Sequence, residues 1–267
     1  MSDALAMDFA TETAKRLATQ FKERSEAPAL YLSQMGDRCP KALWYSIHHP
    51  ELAEPLPPWA ENKFAFGNIV EAWAITLAKA AGHKVEGEQD ALYVDGIKGR
   101  RDCVIDGCVV DVKSCSSRAF TKFKDKSLGQ NDSFGYLDQL DGYLVGSAED
   151  PLVTNKDTGY LWAIDKQLGH MCLYEHHLRK ASITSRITEY KRIVGQPSAP
   201  SCTCATVHDG KSGNIKLDTR ASYSPFKHSC FPSLRTFIYS DGPRYLTTVV
   251  RKPDVTEVDK YGNYVYN

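Results

Sequence analysis

The stretch Arg100-Arg-Asp102-Cys-Val-Ile-Asp106-Gly107-Cys-Val-Val-Asp111-Val-Lys113 constrains this chain more than any other part of it. Two runs rich in β-branched residues flank an Asp-Gly dipeptide. That dipeptide favours a two-residue hairpin turn, because both turn positions must take positive φ. Counting outward from the turn, Ile105 faces Cys108, Val104 faces Val109, Cys103 faces Val110 and Asp102 faces Asp111. Strand alternation then sets Asp102, Val104, Val109, Asp111 and Lys113 on one face of the hairpin.

This register has an electrostatic consequence. Carboxylates directly across a strand pair have Cβ atoms roughly 5 Å apart and repel one another, and burial makes the repulsion worse. A divalent cation between them reverses the sign, and oxygen ligands at ~2.0–2.1 Å suit magnesium. Lys113 points to the same side, where it can stabilise charge on an attacked phosphate or help position the attacking water. The bland alternative is an exposed hairpin that carries these three residues by chance. Asp-x-Lys alone would not outweigh it; a second carboxylate fixed opposite by the register does.

The rest of the chain reads as an α/β core with one mixed central sheet flanked by helices. Residues 8–23 are expected to form an amphipathic helix with Leu17 and Phe21 at helical spacing, and Cys39-Pro40 opens a short one. From Glu61 to Ala81 a stripe of Phe66, Ile69, Val70, Trp73 and Leu77 predicts a long helix, with Gly82 as its C-cap. On that helix Gly67, Glu71, Ile75 and Ala78 share one face, whose small residues would let it approach a sheet and carry Glu71 to the carboxylates. Strands are expected around Leu92–Val94, at Tyr160–Ile164 and at His170–Tyr174, and helices over 136–145 and 177–194. Gln139 and Tyr143, four apart, face the same way. Gln196-Pro-Ser-Ala-Pro-Ser marks a boundary. The expected organisation is an N-terminal helical segment (1–60), a core (61–195) and a loop-rich, cysteine-containing C-terminal lobe packed on the core (196–267).

Composition excludes some classes. No run nears the ~20 apolar residues of a membrane span, and the N-terminus has no apolar stretch of a secretory signal, so a cytoplasmic protein without a membrane partner is expected. The net charge is zero, which leaves nucleic-acid binding to the placement of charge. Basic groups cluster at Lys98–Arg101, Lys122–Lys126 and Arg186–Arg192, each by itself best read as a solvated face. Of the eight cysteines, Cys103, Cys108, Cys115 and Cys172 lie in or beside strand-like runs and read as small buried residues. A disulfide framework is not expected.

Gly67-Asn-Ile-Val-Glu71, Gly99-Arg-Arg-Asp102, Asp111-Val-Lys113 and Gln139-Leu-Asp-Gly-Tyr143 together resemble, in order, the motifs of the RecB-like branch of the PD-(D/E)XK nucleases. The wording is most similar to the phage-encoded exonucleases of its Cas-four-like group. The resemblance spans roughly residues 36–255. It implies a restriction-endonuclease-like core, with Asp102 and Asp111 as ligands of Mg2+ or Mn2+ and the Val112 carbonyl as a further one. Lys113 would be the catalytic lysine. Glu71 stands where many relatives have a metal-supporting histidine, and Gln139 and Tyr143 match the Gln-x-x-x-Tyr motif beside the site and the DNA backbone. The implied reaction is phosphodiester hydrolysis leaving a 5′-phosphate. DNA, as duplex ends or single strands, is the implied substrate. A homo-oligomer, a single-strand-annealing recombination partner and the host-cell cytoplasm as setting follow from the same likeness.

Relatives of that group hold an iron–sulfur cluster on one N-terminal and three C-terminal cysteines. Here Cys39 and Cys230 stand at the outer two positions, with Ala221 and Ser224 at the middle two, which excludes four thiolates there. Three readings stay open: Cys202 and Cys204 replace the missing ligands of a cluster; zinc is held by Cys202, Cys204, His208 and Cys230; or the lobe is metal-free. For the whole chain, an exonuclease, an endonuclease and a nuclease-fold binding or assembly module remain, the last disfavoured by the intact Asp102, Asp111 and Lys113. A glycosidase with two carboxyl groups is weaker still, since that chemistry has no place for the lysine.

Overall fold

The computed structural model of the chain describes residues 2–20, 27–36 and 38–265. Phe21 therefore lies outside the described residues. The helices are α1 (Asp3–Gln20), α2 (Pro40–His48), α3 (Pro58–Ala80), α4 (Ser117–Lys124), α5 (Tyr136–Gly146), α6 (Lys180–Val194), α7 (Thr219–Ser222) and α8 (Lys227–Cys230). The chain divides into two compact units, each built from two stretches: 1–36 with 57–187, and 37–56 with 188–267. No described helix is long and apolar enough to cross a membrane.

The first unit is mixed α/β. Its sheet has the order β1-β4-β5-β6-β7, from β1 (Val85–Glu86), β4 (Cys103–Ile105), β5 (Cys108–Cys115), β6 (Thr158–Asp165) and β7 (Met171–His177). The β5–β6 pair is parallel and the others antiparallel, so the sheet is mixed as expected. A separate hairpin joins β2 (Ala91–Val94) to β3 (Ile97–Arg100) through Asp95-Gly96, which repeats the turn of the carboxylate hairpin.

The β4–β5 ladder pairs Cys103 with Val110, Val104 with Val109 and Ile105 with Cys108. Asp106 and Gly107 take φ of 49° and 79°, as the inverse turn demands. At Gly107 the turn is also closed on its outer side: an ideal Cβ there would lie 2.1 Å from the Thr154 hydroxyl oxygen. Gly107→Ala is accordingly expected to cost about 1–2 kcal/mol, read as a lower urea midpoint with an unchanged m-value.

The two faces of this sheet are covered by different helices. Ile75 of α3 packs with Cys103 and Val110, and Ala74 with Val112 and Ile164. The opposite face, carrying Val109, Asp111 and Lys113, meets α5, where Leu140 lies against Gly159 of β6, the ladder partner of Val109. The residues by which α3 meets the sheet are thus Ala74 and Ile75, with Val70 of the stripe packed beside them. Trp73 turns to Phe9 of α1, with ring centroids 5.4 Å apart, and Phe66 is 60% exposed. Gly67 takes no part in the close approach, since a Cβ there would meet nothing within 4 Å. Small side chains face the sheet because a flat surface needs a short interaxial distance, and the large Trp73 ring is taken up against α1. The helix ends as predicted, with Gly82 at φ 89° and the His83 and Gly82 amides donating to the Ala78 and Lys79 carbonyls.

The second unit departs from the loop-rich lobe expected after Gln196. It contains a five-stranded antiparallel sheet of order β12-β10-β11-β9-β8, formed by β8 (Thr206–His208), β9 (Ile215–Leu217), β10 (Arg235–Tyr239), β11 (Gly242–Thr248) and β12 (Glu257–Val258). Most of these strands are too short to show alternation. One signal was legible all the same: Ser240-Asp241 before Gly242 separates two runs of strand formers and is the β10–β11 hairpin turn. Residues 37–56 join this unit through specific contacts. Trp44 Nε1 donates to the Gln196 carbonyl (2.9 Å), and Glu54 accepts from the His228 amide (3.0 Å) and pairs with Lys227.

Candidate active site

Asp102 sits one residue before the ladder begins, and its carboxylate takes the place of the next strand pair by accepting a hydrogen bond from the Val112 amide at 2.7 Å. Asp111, in the middle of β5, is buried. Its Oδ2 lies 2.5 Å from Lys113 Nζ. Lys113 Nζ also donates to Gln139 Oε1 (3.3 Å), and Gln139 Nε2 donates to the Tyr143 hydroxyl (2.6 Å). The order of this relay has a chemical reason. An ammonium only donates, so the amide oxygen must face it, which turns the amide nitrogen to the phenol. Tyr136, one helical turn before Gln139, places its ring 4.6 Å from Lys113 Nζ.

The charges interact strongly. Burial raises the Asp102 carboxyl well above the usual range, and Glu71 and Asp111 raise it further. Glu71 is also pushed up, by burial first and by Asp111, against the pull of Arg16. Burial alone would lower the Lys113 ammonium, but Asp111 and then Asp102 outweigh it, so Lys113 is held above its ordinary value and stays a cation. Three acidic groups and one lysine on a buried patch form a set whose repulsion a divalent cation would relieve.

Glu71 reaches this set, although it does so in the grip of other residues. Its Oε1 accepts from Arg16 Nε (2.9 Å) and from Gln89 Nε2 (2.6 Å), while Arg16 also pairs with Glu12 (2.6 Å). Arg16 is buried. Sequence reasoning missed Arg16, Gln89 and Tyr136. A Glu-x-x-x-Arg pair on an amphipathic helix ordinarily marks a solvated face, so Glu12 and Arg16 gave no local sign of this role. Tyr136 was findable, since it lies three residues before Gln139 on the predicted helix.

The cysteine residues form a second gathering, in the other unit. The sulfurs of Cys39, Cys202, Cys204 and Cys230 all lie within 4.8 Å of one another. Among the described residues this is the one set of three or more Cys, His, Asp or Glu ligand atoms drawn together so tightly. The carboxylates of Glu71, Asp102 and Asp111 do not converge to that degree. His208, in β8, is outside the sulfur set, so the combination of Cys202, Cys204 and Cys230 with His208 is not the one assembled. Cys39 takes that place. The remaining cysteines are free thiols, with Cys103 and Cys115 buried and Cys108 and Cys172 partly exposed.

No protein-family model matches the chain, and no curated protein matches it. Among solved structures, one titled SSO0001 is 19% identical at a TM-score of 0.47, covering 83% of this chain and 95% of that one. A phage related exonuclease from Haemophilus somnus 129PT is 13% identical at 0.41, covering 63% and 94%. An alkaline exonuclease from Laribacter hongkongensis is 9% identical at 0.39, covering 68% and 90%. All three fall below a TM-score of 0.5.

Proposed function

We propose that this chain is a metal-dependent nuclease of the PD-(D/E)XK type that hydrolyses phosphodiester bonds at DNA ends, in recombination or DNA processing. The observation that carries the reading is the arrangement of Lys113. Its ammonium is paired with Asp111, steered by Gln139 and Tyr143, and set on the same buried patch as Asp102. A structural ion pair would need neither the second carboxylate nor the amide–phenol relay.

Asp102, Asp111 and Glu71 fit a hard divalent cation, because they are oxygen donors whose burial and mutual repulsion hold Asp102 and Glu71 up despite Lys113 and Arg16. They would hold Mg2+ or Mn2+, with the Val112 carbonyl as a further donor implied by the sequence resemblance. When bound, such an ion supplies Lewis acidity toward water and the phosphoryl oxygens. The chain's own groups do the rest. Lys113 donates to the non-bridging phosphate oxygen that gains charge as water attacks, the Gln139–Tyr143 relay keeps the ammonium aimed, and the low polarity around β5 strengthens the contact. The water oxygen bonds to phosphorus, the bond to the 3′ oxygen breaks, and that oxygen leaves as a hydroxyl, so the 5′-phosphate stays on the next nucleotide. A homo-oligomer and a single-strand-annealing partner belong to the same proposal.

The test uses end-labelled linear DNA and covalently closed circular DNA, each with Mg2+, with Mn2+ and with chelator. The expected result is cation-dependent loss of the linear substrate with the circle intact. Cutting of the circle would replace the exonuclease by an endonuclease on the same site. Absence of cleavage on single- and double-stranded DNA with both ions would overturn the catalytic reading.

A further inference from the structure

The iron–sulfur cluster implied by the sequence resemblance does not fit this chain. Ala221 stands at one of its ligand positions, buried in α7 against Leu217 and Leu234. At the other, the Ser224 hydroxyl caps the turn into α8 by accepting from the Phe226 amide (3.3 Å). Yet four cysteine sulfurs are assembled nearby, and two of them, Cys202 and Cys204, come from positions outside that pattern.

We propose that Cys39, Cys202, Cys204 and Cys230 form a mononuclear tetrathiolate site for zinc, which ties the 37–56 stretch to the C-terminal chain within the second unit. The spacing selects the nuclearity. Thiolates at ~2.3 Å from one tetrahedral ion have sulfurs about 3.8 Å apart. Cys39 and Cys202 are at 3.7 Å, and no pair in the set exceeds 4.8 Å. A four-iron cubane interposes its own irons and sulfides between the cysteines and holds their sulfurs much farther apart. Four thiolates would complete the tetrahedron of one ion and leave no position for water, which is the pattern of a structural rather than a catalytic ion.

The backbone around the set suits anionic sulfur. The Cys204 amide donates to Cys202 Sγ at 3.4 Å, which the tight Cys-x-Cys spacing makes possible. Cys39 is the N-cap of α2, whose positive end faces a thiolate favourably. Cys230 closes α8, with its amide bonded to the Phe226 carbonyl (2.8 Å). The four ligands therefore come from three places in sequence, and Cys39 and Cys202 are 163 residues apart. An ion that bridges such a separation removes chain entropy from the unfolded state and adds its own binding energy to folding.

The test is made on the full chain purified under anaerobic conditions, with metal and acid-labile sulfide measured by elemental and colorimetric analysis. One zinc per chain, no sulfide and no visible absorption is the expected result. Exchange with Co2+ is expected to give the intense visible bands of a tetrahedral tetrathiolate. Cys202→Ser and Cys204→Ser should each lose at least tenfold in zinc retention against a chelator, while Cys172→Ser retains the ion. Iron with stoichiometric sulfide would overturn the proposal in favour of a cluster. Iron without sulfide would overturn the choice of zinc, and a chain that is metal-free as purified and takes up no added Zn2+ after reduction would overturn the site. Because metal content is read on the parent chain, the result does not depend on whether the serine variants fold.

Discussion

Lys113→Ala is expected to lower kcat for DNA cleavage on the order of 10³-fold, as the loss of one buried donor to a transition-state oxygen does elsewhere. The fall should appear in kcat with little change in KM, since the ammonium acts on charge that develops only during attack. Cation binding should survive or tighten. Asp111 Oδ2 now spends its contact on Lys113 Nζ at 2.5 Å, and without the ammonium it is released to an incoming ion. Ca2+ binding followed by calorimetry in both proteins separates this outcome from misfolding. Cleavage at the parent rate would remove Lys113 from the mechanism. Loss of cation binding along with activity would make Lys113 a scaffold for Asp111 rather than a group that meets the phosphate.

The second large effect is on stability. Arg101, expected from sequence within a solvated basic cluster, is fully buried, at 0% exposure. Its guanidinium pairs with Asp150 (2.6 Å) and Asp90 (3.0 Å) and donates to Ser147 Oγ (3.2 Å) and the Gly87 carbonyl (3.3 Å). It thereby ties the strand leading to Asp102 to the end of α5, which carries Gln139 and Tyr143. Arg101→Met strands these partners. Breaking a wholly buried pair costs ~3–5 kcal/mol, and since Asp150 and especially Asp90 keep access to water, about 2–3 kcal/mol is expected. That is a fall in Tm of roughly 5–10 °C.

The pH profile checks the same assignment. Burial pushes the Asp150 carboxyl up, but the Leu152 amide and Arg101 outweigh it, so it is held below its ordinary 3.8. A carboxyl depressed on folding adds stability above its unfolded pKa and loses it as pH falls through the folded value. The parent chain should therefore lose this increment on acidification below about pH 4, and the Met variant should have less of it to lose. A variant with unchanged Tm at neutral pH and an unchanged acid limb would show that water replaces the guanidinium at no cost.

Much of the candidate site was legible because it is local. The two-residue turn at Asp106-Gly107 set the register, and a period of two then decided that Asp111 and Lys113 share a face. A period of 3.6 did the same for Gln139 and Tyr143 on α5. The expected register holds as far as Cys103 and Val110, whereas Asp102 lies beyond the ladder and its carboxylate accepts from the Val112 amide. On α3, apolar periodicity showed buried sides without showing which neighbour covers each; the face carrying Ile75 was expected at the sheet and packs there. Trp73 went to α1, and the sheet took Ala74 and Ile75 with Val70 beside them.

By itself, then, the amino-acid order determined the hairpin, its register, the helices that face it and the residue types available to a cation and a phosphate. Only the tertiary structure decided that Arg16 holds Glu71 across 55 positions, that Arg101 is enclosed, and that Cys39 joins Cys202, Cys204 and Cys230. The physical reason is the same in each case. The cost of burying an arginine, or of gathering thiols, is met by partners distant in sequence, and the residues on either side look the same whether those partners arrive or water does.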